Sequence, residues 1–366
     1  MRKYYLDNVR WLTVVVVLLY HVVYMYNAED ILGGLGRITT LSVQPYDIFA
    51  YLVYPWIMPV LFIVAGISSR LSLEKYGVKQ FVKSRTRKLL VPSTLGLFVF
   101  YFIQGYVSMH LSEGGAELAA MGVPKIIIYF IMVLSGSGVL WFVHLLWLYS
   151  MILLLFRVIE KGKLLKAGAK TPMWLIILFI LPVWLFAQIL NTPIIAVYRI
   201  GFYFLFFMLG YYVFSNEEIM EKMKKYAIPF AVTGAVFCLI FAIYYFVVKG
   251  GANYADKPVN RLFLYSACSY FGSLGILSMA AKYWDKQNKF TKWMSAHSFG
   301  LYVFHYLGIS SVALYIAKPG LVPPVVSYIL SLIAGFAFGY ILYAIISRIP
   351  IYRWFVLGIK KEKKNV

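Results

Sequence analysis

Two side chains near the start of the chain can do chemistry that their neighbours cannot: Arg10 and His21, in the stretch RWLTVVVVLLYH. Eleven residues at about 100° each make about 1100°, three turns and roughly 20°, so both lie on one face of a helix, about 16 Å apart along its axis. Everything between them is uncharged, which describes a helix at membrane depth with a cation at its entrance and an imidazole near its middle. An ionisable group at that depth costs several kcal/mol unless it is paired or lines a wet cavity. A guanidinium there anchors an anion, and a neutral imidazole takes a proton or acts as a nucleophile.

The other candidates are few. Of five histidines, His144 in LWFVHLLWLYS and His305 in GLYVFHYLGIS also fall inside apolar runs, where the ordinary reading is an interhelical hydrogen bond. The segment FVKSRTRKLLVP, residues 81–92, brings Lys83, Arg85, Arg87 and Lys88 to the membrane edge. By itself such a run is a stop-transfer anchor. With Asp7 and Arg10 at the inner mouth of the first helix and an imidazole deeper in, it reads as a receptor for a cytosolic phosphorylated ligand whose reactive end is threaded inward. Fourteen acids are all assigned to loops or span ends, Asp47 to the outer start of the second span, which argues against ion-coupled transport. Cys238 and Cys268 lie in apolar runs, so neither a disulfide framework nor a metal site is expected.

The elements that must position these residues follow from composition. The chain has 366 residues, 62% of them hydrophobic and 13% charged, more apolar surface than a water-soluble fold of this length can hide. The apolar runs are long and continuous, which points to an all-α polytopic membrane protein and excludes a barrel. Runs long enough to span occur at about 9–28, 47–71, 89–110, 138–157, 173–190, 197–214, 227–248, 261–283, 298–317 and 323–347, giving ten expected transmembrane helices. A shorter run at 124–135 reads as interfacial or re-entrant. With both termini in the cytoplasm, most of the 35 Lys and Arg residues fall in inward segments. The net charge of +21 is therefore topological, and nucleic acid is not an expected partner. No linker or change of composition divides the chain, so residues 1–366 read as one membrane domain ending in a basic cytoplasmic tail, 348–366.

The residues also resemble a family. YLDNVRWLTVVVVLLYH is similar to the amino-terminal signature of the integral-membrane acyltransferase-3 superfamily: leucine, aspartate, two residues, arginine, ten residues, histidine. MPVLFIVAGISSRL (58–71), FVKSRTRKLLVP (81–92), VLWFVHLLWLYS (139–150) and HSFGLYVFHY (297–306) agree in order, with the tone of the branch that holds glucan-modifying succinyl and acetyl transferases. The resemblance implies a plasma-membrane enzyme of ten helices. Its acyl-CoA co-substrate, acetyl-CoA or succinyl-CoA, gives an acyl group to a hydroxyl of an extracytoplasmic glycan or glycolipid. His21 matches the catalytic histidine, Arg10 its partner, and Asp7 the acid of the same signature. The family's arginine-x-x-arginine element falls on Arg85 and Lys88, so a lysine replaces the second arginine, and either Arg87 or Lys88 takes its place beside Lys83.

The chemistry is coherent with that assignment. Coenzyme A needs cations for its phosphates, and its pantetheine arm carries the thioester toward His21. An imidazole of ordinary pKa near 6.5 either removes the acceptor's proton or carries the acyl group itself. Oxyanion stabilisation is assigned to Trp141, Tyr149, Ser135 or Ser137, with His144 and His305 as secondary site residues. A transporter or flippase for a glycan or anionic substrate is the alternative reading, expected to show broken helices in matching halves. The sequence leaves a homo-oligomer open.

Overall fold

The placement of the apolar runs sets the architecture. A computed structural model describes residues 2–27, 34–39, 44–112, 121–190, 199–251 and 254–360, and among these every regular element longer than a turn is a helix, with no strand. In its described residues every expected run coincides with helix over most of its length; residues 28, 197 and 198 of those runs lie outside the described residues. Seven helical segments are long and apolar enough to cross a membrane, or eight if the bent pair Lys163–Ala169 and Met173–Phe186 is one span. The difference from ten has a structural origin. The runs at 47–71 and 89–110 belong to one helical stretch, Pro45–Leu111, and the run at 197–214 is the short helix Ile200–Phe214. The short run at 124–135 is the helix Lys125–Ser135.

The first helix, α1 (Tyr4–Met25), is unbroken. The second, α2 (Ile48–Arg85), holds Pro55 and Pro59 and changes direction at Gly77, whose φ of 71° lies in the left-handed region where a side chain is strained. The described chain forms two units. The first comprises Met1–Val16, Ile48–Phe81 and Leu148–Ala296; the second comprises Val17–Asp47, Val82–Trp147 and His297–Val366.

In the first unit, glycines bring helix backbones into contact. A Cβ on Gly66 would collide with the carbonyl oxygen of Phe207, and one on Gly210 with that of Ile63, so α2 and Ile200–Phe214 meet through reciprocal small residues. In the same unit Trp11 of α1 packs edge-on against Trp284 and Phe290, and Asn8 Nδ2 donates to the carbonyls of Trp284 and Lys286. The Arg199 guanidinium is buried and hydrogen-bonded to the hydroxyls of Tyr54 and Tyr265.

In the second unit, Gly105 and Gly136 sit against the backbone of Met132 and Tyr101, which clamps Lys125–Ser135 onto Phe102–Leu111. Gly308 lies on Ala334, so Lys289–Val312 and Pro324–Ile346 pack closely, and Gly335 faces Leu18 of α1. The region expected as a basic tail contains the helix Pro350–Leu357, with Val356 and Leu357 buried and the Tyr101 hydroxyl donating to the Val356 carbonyl. Residues 361–366 of that tail, like the stretches 28–33, 40–43, 113–120, 191–198 and 252–253, lie outside the described residues.

Candidate active site

His21 lies on α1 in the second unit, and its ring meets that of His305 from Lys289–Val312. The ring centroids are 5.0 Å apart, and His21 Nδ1 is 2.9 Å from His305 Nε2. The other nitrogen of His305, Nδ1, is 3.0 Å from the carbonyl oxygen of Leu301, one turn back in its own helix. A carbonyl only accepts, so this contact fixes the tautomers in sequence. His305 Nδ1 carries a hydrogen and donates to Leu301, so its Nε2 holds a lone pair and accepts from His21 Nδ1–H. His21 Nε2 is left with its lone pair available. His305 is fully buried and His21 half-buried, so one end of the chain is locked in the core while the reactive nitrogen belongs to the more accessible ring.

Aromatic walls hold the His21 ring in place. Tyr20, Tyr24 and Tyr306 surround it with centroids at 5.2, 6.0 and 5.0 Å. Tyr306 also walls a cavity with room for about one water molecule, lined in addition by Gln104, Ser137, Val139, Leu140 and Phe304.

Arg10 lies three turns before His21 on the same face of α1. In the first unit its Nη1 donates to Asp7 Oδ1 at 3.0 Å and its Nη2 to Ser68 Oγ at 3.1 Å. Asp7 also accepts from Arg2 through Oδ2 at 2.7 Å, a bond that raises the Arg2 guanidinium further above its ordinary pKa. The Arg10 side chain keeps 40% of its surface exposed, so it is fixed at two donors and still open to an anion.

The basic cluster belongs to the second unit. Lys83 and Lys88 are exposed, Arg85 and Arg87 half-buried, where α2 passes into the wide turn Thr86–Leu90. Gly358, at φ 62°, rests on the backbone of Arg87 and Lys88, which brings the end of Pro350–Leu357 against the cluster. Nε of Arg87 and Nε of Arg353, on that helix, are both buried without a hydrogen-bond partner among the described residues. Guanidiniums in this condition suit phosphate oxygens. Arg353 was visible in the sequence only as part of a tail; nothing local in the sequence marks its return to residues 87–88.

The remaining candidates are placed elsewhere. His144 bonds the backbone of Ser93. Tyr149, in the first unit, donates its hydroxyl to the Ile200 carbonyl at 2.8 Å and packs on Phe62, so that hydrogen is committed. Trp141 packs edge-on against Phe142. Ser135 is exposed and donates to Ile131, whereas Ser137 lines the cavity beside Tyr306. No group of three or more His, Cys, Asp and Glu able to hold a metal occurs among the described residues.

Comparison with known proteins identifies the family of the chain. No curated protein and no solved structure matches the chain. The model of the acyltransferase-3 family, described as an acyltransferase domain, matches residues 3–344. That match takes in α1 with Arg10 and His21, the basic cluster at 83–88 and the helix that carries His305, and so the chain belongs to the acyltransferase-3 family.

Proposed function

We propose that the protein is a multi-pass plasma-membrane O-acyltransferase. It moves an acetyl or succinyl group from cytosolic acyl-CoA to a hydroxyl of an extracytoplasmic glycan or glycolipid, and its chain crosses the bilayer ten times with both termini in the cytoplasm. The observation that carries the reading is the histidine relay, in which His21 Nε2 is held with a free lone pair by a 2.9 Å bond from its own Nδ1–H to His305.

In the proposed reaction the acceptor O–H gives its proton to His21 Nε2 as its oxygen attacks the thioester carbonyl carbon. The new C–O bond forms, the C–S bond breaks, and the proton on Nε2 passes to the departing sulfur to give free coenzyme A and the ester. While His21 is an imidazolium, His305 Nε2 still accepts its Nδ1–H, so the positive charge remains hydrogen-bonded within the core. His305 is the positioning residue, in the manner of a group that orients a catalytic imidazole. Arg85, Arg87, Lys88, Lys83 and Arg353 hold the donor's phosphates, and Arg10 with Asp7 forms a second anchor on α1. Ser137, which lines the same cavity as Tyr306, is the proposed oxyanion donor.

The test uses the purified full chain in lipid nanodiscs. Acetyl-CoA or succinyl-CoA at a hundred times its dissociation constant adds about 2.7 kcal/mol of stability, seen as a higher melting temperature. Cells expressing His21→Ala at normal levels should lose acyl groups from their surface glycans. Unchanged melting with both donors, or unchanged glycans, would refute the proposal.

A further inference from the structure

The second unit buries one carboxylate that the proposed chemistry does not use. Asp47 is 1% exposed and directly precedes α2, the usual place for an acid that caps a helix, yet its side chain makes no cap hydrogen bond. It turns instead to Pro324–Ile346, where Oδ1 accepts from the Tyr328 hydroxyl at 3.0 Å. Oδ2 is buried with no hydrogen-bond partner among the described residues. A buried carboxylate oxygen without a donor is costly and calls for a reason.

Its surroundings supply one. Tyr328 packs at a tilt against Tyr26, the residue after α1 ends, with ring centroids 4.8 Å apart, and edge-on at 4.6 Å to Tyr46, which is exposed. Tyr26 in turn bonds Ser331 at 2.6 Å. Ser327, one turn from Ser331 on the same face, has a buried hydroxyl that also lacks a partner among the described residues. A buried carboxyl oxygen without a partner among the described residues, a spare hydroxyl and an exposed aromatic ring together match a neutral polyhydroxylated ring. Such a ring donates O–H to the carboxylate and lays its C–H face on tyrosine. Tyr26 follows the end of α1 five residues beyond His21, at the end opposite Arg10.

We infer that Asp47, with Tyr46 and Tyr328, is the sugar-binding site for the acyl acceptor. The inference rests on the acyltransferase reading and adds to it the residue that selects the hydroxyl substrate.

Asp47→Asn tests it, because the amide keeps an oxygen for Tyr328 and puts an N–H2 donor where Oδ2 accepts. Two readouts are paired: the acyl content of surface glycans in deletion cells complemented with each variant, and stabilisation of the purified chain by acetyl-CoA or succinyl-CoA. The expected result is a fall in acyl content of roughly 10- to 100-fold, the loss from one hydrogen bond to a charged group, with the donor-induced shift in melting unchanged. Unchanged acyl content overturns the inference. So does a parallel loss of both readouts, which marks Asp47 as structural. If Asp47→Asn fails to accumulate, the exposed Tyr46→Ala takes its place; the same two readouts are measured, and the same results support or overturn the site. If the wild-type chain itself restores no acyl groups, the acyltransferase reading falls and takes this site with it; wild-type activity beside an unaffected Asp47→Asn removes the site alone.

Discussion

At the scale of single residues the chain argues for a division of labour between two histidines. His21 has the available nitrogen; His305 decides which nitrogen that is. Replacing His305 with Ala removes the acceptor from His21 Nδ1–H, and the ring loses both its tautomer and its aim. We expect kcat to drop by about 10²-fold or more, the scale of general base catalysis, with the donor's KM little changed. His305→Gln, which can offer an oxygen to the same N–H, should recover part of it. Equal activity of the Ala and Gln variants would show that packing alone matters. The pH profile follows from the same lone pair: protonation of His21 Nε2 consumes it, so kcat/KM should fall as the pH is lowered. A rate that rose on acidification would remove His21 as the base. The sequence made His21 legible through its spacing from Arg10. It left His305 among secondary candidates, because two residues 284 positions apart carry no local sign that their rings will touch.

At the scale of elements, what the sequence announced was apolar length, and what it concealed was which backbones meet. Each expected run coincides with helix over most of its described residues, yet the run at 197–214 does not announce that Gly210 will rest on Ile63, or that Gly66 of α2 will rest on Phe207. Both are reciprocal close approaches with backbone on the far side, so neither neighbour can rotate away. Gly66→Ala should lower the stability of the purified protein by about 1–3 kcal/mol, the usual cost of overpacking a filled core. A melting temperature equal to wild type would show that the two helices part at no cost. Gly77→Ala differs in kind: nothing lies within 4 Å of the added Cβ, and only the positive φ opposes it. The basic cluster shows the same limit of sequence reading. Its charges were plain, whereas the return of Gly358 onto residues 87–88 depends on tertiary packing.

At the scale of the whole molecule the question is which way the chain is threaded, since the proposed transfer from a cytosolic donor to an acceptor outside requires the two chemistries on opposite faces. The bent pair Lys163–Ala169 and Met173–Phe186, at 111°, is the feature a transporter would share. Its first arm carries Lys163 and Lys166 and its second is apolar, as expected where a helix passes from the interface into the bilayer. α2 offers a direct measurement. Its 38 residues would rise about 57 Å if straight, well beyond the roughly 30 Å of hydrocarbon, so one end must emerge. The lysines and arginines gather from Arg70 onward, and the positive-inside rule assigns that end to the cytoplasm and Tyr46 to the outside. With Cys238 and Cys268 replaced by Ala, Tyr46→Cys should react with a membrane-impermeant maleimide in intact cells. Lys83→Cys should react only after permeabilisation, since both native side chains are exposed. The reverse pattern would put the basic cluster outside, away from cytosolic acyl-CoA. The histidine relay would then need a different donor, however well its geometry suits proton transfer.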